Sequence, residues 1–174
     1  MNGYLGIDVG SVSTNVVVIN DAHEVLTSLY LRTGGQPIRV VQEAIRQLKD
    51  QISPDLEIAG VGTTGSGREL TGVMVGADVV KNEITAHAVA AQHFVPEVQT
   101  VLEIGGQDSK IIILRDGIVI DFAMNSVCAA GTGSFLDRQA ARLGVAIEEF
   151  GRMALHSKKP VRIAGRCAVF AESD

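Results

Sequence analysis

Apolar and polar positions follow a two-residue period at the start of the chain, change to a helical period, and then repeat that succession. Tyr4–Val9, Asn15–Asn20 and Glu24–Leu31 are dense in β-branched residues, which predicts three strands of an antiparallel meander. Asp21-Ala22-His23 is read as the tight turn between the last two. From Pro37 to Gln51 the apolar residues Ile38, Val41, Ala44, Ile45 and Leu48 fall at helical spacing. Pro37 suits the first turn of that helix, where its missing N–H costs nothing. A short strand over Ile58–Gly62, a glycine-rich turn Thr63-Thr64-Gly65-Ser66-Gly67 and a helix through Leu70 and Met74 follow. Asn82–Phe94 predicts another helix, with Ile84, Ala88 and Ala91 on one face and Pro96 ending it.

The pattern then restarts. Thr100–Ile104, Lys110–Arg115 and Ile118–Ala123 predict three strands, and Asp116-Gly117 is a strong hairpin signal. Helices are expected over Gly133–Leu143 and Ile147–Leu155, then a strand over Val161–Ala164 leading to Cys167 and the start of a further helix. The order is βββαβ(α)α followed by βββαα. It predicts an α/β protein of two lobes related by duplication, residues 1–97 and 98–174, with the second lobe incomplete.

Composition narrows the class. Hydrophobic residues make up 46% of the 174 positions and aromatics only 4%, with no tryptophan, so the core is built from Val, Ile, Leu and Ala. A net charge of −5 and a pI near 5.3 leave no basic stripe for nucleic acid, which excludes it as a partner. His156-Ser157-Lys158-Lys159 is a small basic spot on a solvated turn. No apolar run reaches the roughly 20 residues a membrane span needs, and no signal peptide is read at the N-terminus. A cytoplasmic protein is expected, in which two cysteines serve as free thiols or ligands more often than as a disulfide.

Two segments carry the chemistry. One is Gly6-Ile7-Asp8-Val9-Gly10-Ser11-Val12-Ser13-Thr14-Asn15, the other Leu102-Glu103-Ile104-Gly105-Gly106-Gln107-Asp108-Ser109-Lys110. Each runs from an apolar strand through a glycine turn beside a carboxylate into another strand. Glycine lets the backbone turn tightly and approach a ligand. Consecutive N–H groups in such a turn make a nest for phosphate oxygens, and a carboxylate can hold the accompanying magnesium ion. One such turn is as well read as a plain hairpin; its recurrence, once per lobe, points to nucleotide phosphates. Asp8 and Asp108 then stand near metal and attacking water, and Gly10, Ser11, Gly105 and Gly106 offer backbone donors. Neither a Walker-type loop nor a Rossmann glycine fingerprint is present.

Cys128 and Cys167 each precede a predicted helix. A helix N-terminus presents positive partial charge and N–H groups, which favours an anionic sulfur ligand or a cluster. Spacing alone favours two buried small hydrophobes, because no CxxC pair exists and two thiolates make half of a four-ligand site. A two-fold dimer would complete the set. Glu83 and His87 share a helix face, either as a surface pair or as a water-positioning group. Arg68 is a phosphate contact or a surface charge. His23, His93 and His156 show no metal spacing.

The two glycine turns resemble the phosphate motifs of the acetate and sugar kinase/Hsp70/actin superfamily, whose fold is ribonuclease H-like. Gly62-Thr63-Thr64-Gly65, Asn82-Glu83-Ile84-Thr85-Ala86-His87-Ala88, Cys128-Ala129-Ala130-Gly131-Thr132-Gly133 and Cys167-Ala168-Val169-Phe170-Ala171-Glu172-Ser173 narrow the likeness. Together they resemble the BadF/BadG/BcrA/BcrD ATPases, the activators of 2-hydroxyacyl-CoA dehydratases and ATPase subunits of benzoyl-CoA reductase. The resemblance implies ATP/ADP and Mg2+ as ligands. It implies a homodimer sharing one 4Fe–4S cluster on Cys128 and Cys167 of each subunit, and one-electron delivery to an acyl-CoA dehydratase or reductase. A ferredoxin or flavodoxin would be the donor. It assigns Asp8, Gln107 and Asp108 to catalysis and Gly10, Ser11, Val12, Ser13, Gly105, Gly106 and Lys110 to phosphate binding. Asn15 departs from the lysine usual in such activators and resembles longer, fused activases. The expected adenosine segment is not reached, so the sequence reads as the N-terminal part of a longer chain. Two other readings stand beside this one: a small-molecule kinase of the same fold, and a non-catalytic assembly module.

Overall fold

The computed structural model describes residues 1–125, 132–165 and 167–174, so Cys128 and its neighbours lie outside the described residues. The chain divides into two compact units, Met1–Glu97 and Val98–Asp174.

The first unit contains β1 (Asn2–Val9), β2 (Ser13–Ile19), β3 (Val25–Arg32), α1 (Pro37–Lys49), β4 (Glu57–Thr64), α2 (Arg68–Val75), β5 (Val79–Val80) and α3 (Glu83–Phe94). Its sheet runs β3-β2-β1-β4-β5. The first three strands pair antiparallel through tight turns, and β4 returns parallel to β1 after the α1 crossover. Alternation along β1 and β2 buries Leu5, Ile7, Val9, Val16 and Val18 against Val41, Ala44 and Leu48 of α1, with Met74 and Val75 of α2 packed alongside. The same alternation turns Asp8 and Asn15 to the opposite face.

The second unit contains β6 (Thr100–Ile104), β7 (Ser109–Arg115), β8 (Ile118–Met124), α4 (Gly133–Leu143), α5 (Ile147–Leu155) and α6 (Ala168–Ser173). The three strands form an antiparallel sheet in chain order. Asp116 and Gly117 turn the β7–β8 hairpin with φ of 49° and 78°, the left-handed pair that matches strand twist. Along β7 the buried positions are Lys110, Ile112 and Leu114, and α4 buries Phe135 and Ala140.

Two local expectations change, and one short strand is added. Val161–Ala164 is irregular backbone rather than a strand, because apolar β-formers need a ladder partner and none pairs with this segment among the described residues. β4 continues to Thr64, so the glycine turn begins only at Gly65. β5 is two residues long, too short to show a period, and exists because β4 offers it an edge.

Candidate nucleotide site

In the first unit β1 passes to β2 through Gly10–Ser13, closed by the Gly10 N–H donating to Ser13 O at 2.9 Å. Thr33 braces this turn from beneath. Its N–H donates to Val12 O at 2.9 Å and its hydroxyl to Gly10 O at 2.8 Å. That hydroxyl has one proton, already given to Gly10, so the buried Thr14 hydroxyl 3.0 Å away is the donor between the two threonines. The phosphate-binding candidates Gly10, Ser11, Val12 and Ser13 therefore sit on a turn whose carbonyls are tied into the fold.

Asp8 stands two residues before the turn. Its neighbours in register are Asn15 on β2 and Thr64 on β4. Asn15 Nδ2 donates to Asp8 Oδ2 at 3.4 Å. Gly65 follows Thr64 with φ of 84°, and a Cβ there would strike Asp8 Oδ1 and lie 2.6 Å from Val9 O. The Gly67 N–H and the Ser66 hydroxyl both donate to Val9 O, at 2.8 and 3.3 Å. Arg68 spends its guanidinium on the same loop, donating to Gly65 O at 3.1 Å and facing Glu69 at 3.6 Å.

The second unit repeats the device. The Gly105 N–H donates to Asp108 O at 2.8 Å, enclosing Gly106 and Gln107. Lys110 Nζ donates to Glu103 Oε2 at 2.9 Å and to Asp108 Oδ1 at 2.8 Å. The Lys110 side chain is 3% exposed, against 16% for Glu103 and 39% for Asp108, so Asp108 is the carboxylate that meets solvent. A Cβ on Gly105 would lie 2.8 Å from Asp108 Oδ1 and 3.0 Å from Glu103 Oε1. The first two amides of α4, from Gly133 and Ser134, donate to the Gly105 and Gly106 carbonyls, each at 2.9 Å.

Counting from the turn glycine aligns the two hairpins. Glu103 precedes Gly105 by two, as Asp8 precedes Gly10, and each acid pairs in register with the residue seven further on, Lys110 or Asn15. Asp108 takes the position of Ser13. Sequence reasoning passed over Glu103, although the same count would have found it. It also missed Thr33, which no sequence pattern ties to a turn 23 residues away.

The remaining candidates belong to other elements. Cys167 is a free, partly exposed thiol at the start of α6. Among the described residues no group of three or more His, Cys, Asp or Glu side chains can hold a metal ion. Glu83 and His87 lie on α3, whose N-terminus is capped by Asn82 accepting from the Thr85 N–H at 2.8 Å. His23 and His93 meet edge to face, 5.5 Å between ring centres. No helix among the described residues is long and apolar enough to cross a membrane.

A mixed sheet in the order β3-β2-β1-β4-β5, and a pair of glycine hairpins each flanked by an acid, define a ribonuclease H-like, actin-like ATPase fold. Residues 5–174 match the BadF/BadG/BcrA/BcrD ATPase family, and the chain belongs to it. It is 37% identical over 174 residues to the (R)-2-hydroxyglutaryl-CoA dehydratase activating ATPase of Acidaminococcus fermentans, covering 98% of this chain and 65% of that protein. It is 31% identical to a benzoyl-CoA reductase subunit of Thauera aromatica, covering 97% of this chain and 61% of that one. The structure of the Clostridium difficile activator of 2-hydroxyisocaproyl-CoA dehydratase with bound ADPNP superposes with a TM-score of 0.82 at 33% identity, over 98% of this chain and 63% of that one. The chain thus spans less than two thirds of the length of these relatives.

Proposed function

We propose that this chain binds and hydrolyses Mg-ATP and, in the whole protein, drives one-electron transfer to a 2-hydroxyacyl-CoA dehydratase or a benzoyl-CoA reductase-like partner. The observation that carries the reading is the duplicated hairpin: two turns, each closed by one N–H···O bond from its first glycine, each with an acid two residues earlier. The names of the relatives, activators and a reductase component, and the ADPNP in one solved structure support the nucleotide and the partner class.

The two units act as the two lobes of the ATPase, the second incomplete over residues 98–174. Gly10, Ser11, Val12 and Ser13 offer the first turn to the polyphosphate, and Gly105 and Gly106 offer the second. Asp8 and the open carboxylate of Asp108 face the metal side, and Gln107 orients water. Lys110 holds Glu103 and Asp108 in place and offsets their charge at the phosphates. Magnesium, when bound, neutralises charge on the transferring phosphoryl group; catalysis of this kind is mostly positioning and electrostatics. Cys128 and Cys167 of each of two subunits would hold a 4Fe–4S cluster, which supplies the transferred electron when bound, with a ferredoxin or flavodoxin as donor. The setting is the cytoplasm, with no nucleic acid or membrane as partner.

Calorimetry with Mg-ADPNP tests the nucleotide half. Binding that is lost in Asp8→Ala and Asp108→Ala supports it, and absence of binding to the intact protein overturns it. Anaerobic reconstitution tests the other half. Iron lost in Cys128→Ala and in Cys167→Ala supports it, whereas full iron content in either variant, or phosphorylation of a small molecule with no iron bound, overturns it.

A further inference from the structure

Glu172 joins two helices of the second unit. It lies on α6, and Arg142 near the end of α4 donates to its Oε1 at 2.8 Å and to its backbone carbonyl at 3.2 Å. Arg138, one turn earlier on α4, faces the other carboxylate oxygen at 4.0 Å. A lone exposed ion pair holds little, but here one carboxylate, 28% exposed, meets two guanidiniums, and the backbone that carries it is gripped as well. Apolar packing does not replace this grip: within α6 Ala171 is buried, but Val169 and Phe170 are 70% and 65% exposed. The helix opens at Cys167, whose carbonyl accepts the Ala171 N–H at 3.0 Å. Just past its end, Asp174 Oδ2 accepts the Ala164 N–H at 2.9 Å and closes the irregular segment ahead of Cys167. The place of the thiol is thereby tied to α4.

The other end of α4 is tied to the second glycine turn, where the Gly133 and Ser134 amides donate to the Gly105 and Gly106 carbonyls. A peptide group is planar, so the Gly105 carbonyl turns with the Gly106 N–H, and the Gly106 carbonyl with the Gln107 N–H. Phosphate bound to those N–H groups and α4 bound to those carbonyls would grip opposite ends of the same two peptide planes. We propose that the Arg142–Glu172 pair is the joint that makes α4 and α6 one lever, so that nucleotide on the Gly105–Gly106 turn alters the setting of Cys167. This rests on the proposed ATPase reading and adds to it two positioning residues.

The test reads the Cys167 thiol in the intact, iron-free protein, as its rate of alkylation by iodoacetamide followed by peptide mass spectrometry, with and without saturating Mg-ADPNP. Without nucleotide, Arg142→Met is expected to raise that rate about two- to fivefold as α6 comes loose, with Arg142→Lys in between. Arg152→Met, which breaks an ion pair within α5, is expected to leave it unchanged. In wild type Mg-ADPNP is expected to change the rate about fivefold or more. Arg142→Met and Glu172→Gln are expected to remove most of that response while still binding Mg-ADPNP. An unchanged nucleotide-free rate in Arg142→Met, a full nucleotide response in that variant, or the same losses in Arg152→Met overturns the joint. A wild type that binds Mg-ADPNP with no change at Cys167 overturns the coupling and leaves the ATPase reading standing, whereas a wild type that does not bind it overturns both.

Discussion

Gly65 and Asp8 are locked together: the glycine holds φ at 84°, and any Cβ placed on it falls on Asp8 Oδ1 and the carbonyl of Val9. The loop after β4 therefore packs directly on that carboxylate. A left-handed conformation costs an alanine roughly 1–2 kcal/mol, and the Val9 backbone, held by Gly67 and Ser66, cannot give way. Gly65→Ala is expected to lower Tm by roughly 2–8 °C and to abolish Mg-ADPNP binding, read by thermal melt and calorimetry. Unchanged binding would separate this loop from the site.

Lys110 bridges both acids of the second turn, at 2.9 Å from Glu103 and 2.8 Å from Asp108. Removing it takes the shared cation from two neighbouring carboxylates, one of them largely buried. Lys110→Met is expected to destabilise the fold by about 2–4 kcal/mol, between the values for exposed and for buried pairs. Lys110→Met/Glu103→Gln should recover part of that loss in urea unfolding.

Thr33 joins a distant strand end to the first turn through its N–H and its hydroxyl. Thr33→Val strands the Gly10 carbonyl and takes the acceptor from Thr14. The expected loss is about 1–3 kcal/mol, with weaker Mg-ADPNP binding, and Thr33→Ser should lie close to wild type in both measurements.

Asn15 occupies in the first hairpin the place of Lys110 in the second. Asn15→Lys would set an ammonium against Asp8 and beside the Gly10–Ser13 turn. Tighter Mg-ADPNP binding is expected, with a steeper salt dependence than wild type. A weaker complex would show that the amide is required as it stands.

The Glu43 carboxyl, on the exposed face of α1, titrates below the ordinary glutamate range, first because the Gln47 amide donates to it and then because Arg46 does. A lowered folded pKa means that its small contribution to stability is present above the unfolded glutamate range and disappears as pH falls through the folded value. Gln47→Ala should move the Glu43 midpoint upward in a carbon-detected NMR titration; a midpoint that stays put would remove the amide as the main cause.

Much of the fold was legible because it rests on local chemistry. The period-2 segments became β1, β2, β3, β6, β7 and β8, and Pro37, Asn82 and Asp116-Gly117 stood at the helix starts and the hairpin turn expected of them. Val161–Ala164 misled for the converse reason: strand-forming residues make a strand only against a partner.

Chain order alone determined the two glycine hairpins and their acids, since a turn and its neighbours are contiguous and their steric demands are written residue by residue. Only the tertiary structure decided what surrounds them. Thr33 reaches Gly10, Thr64 lies beside Asp8, and Gly133 reaches Gly105, across separations that no period encodes, because sheet register and crossover helices, not sequence distance, choose those neighbours.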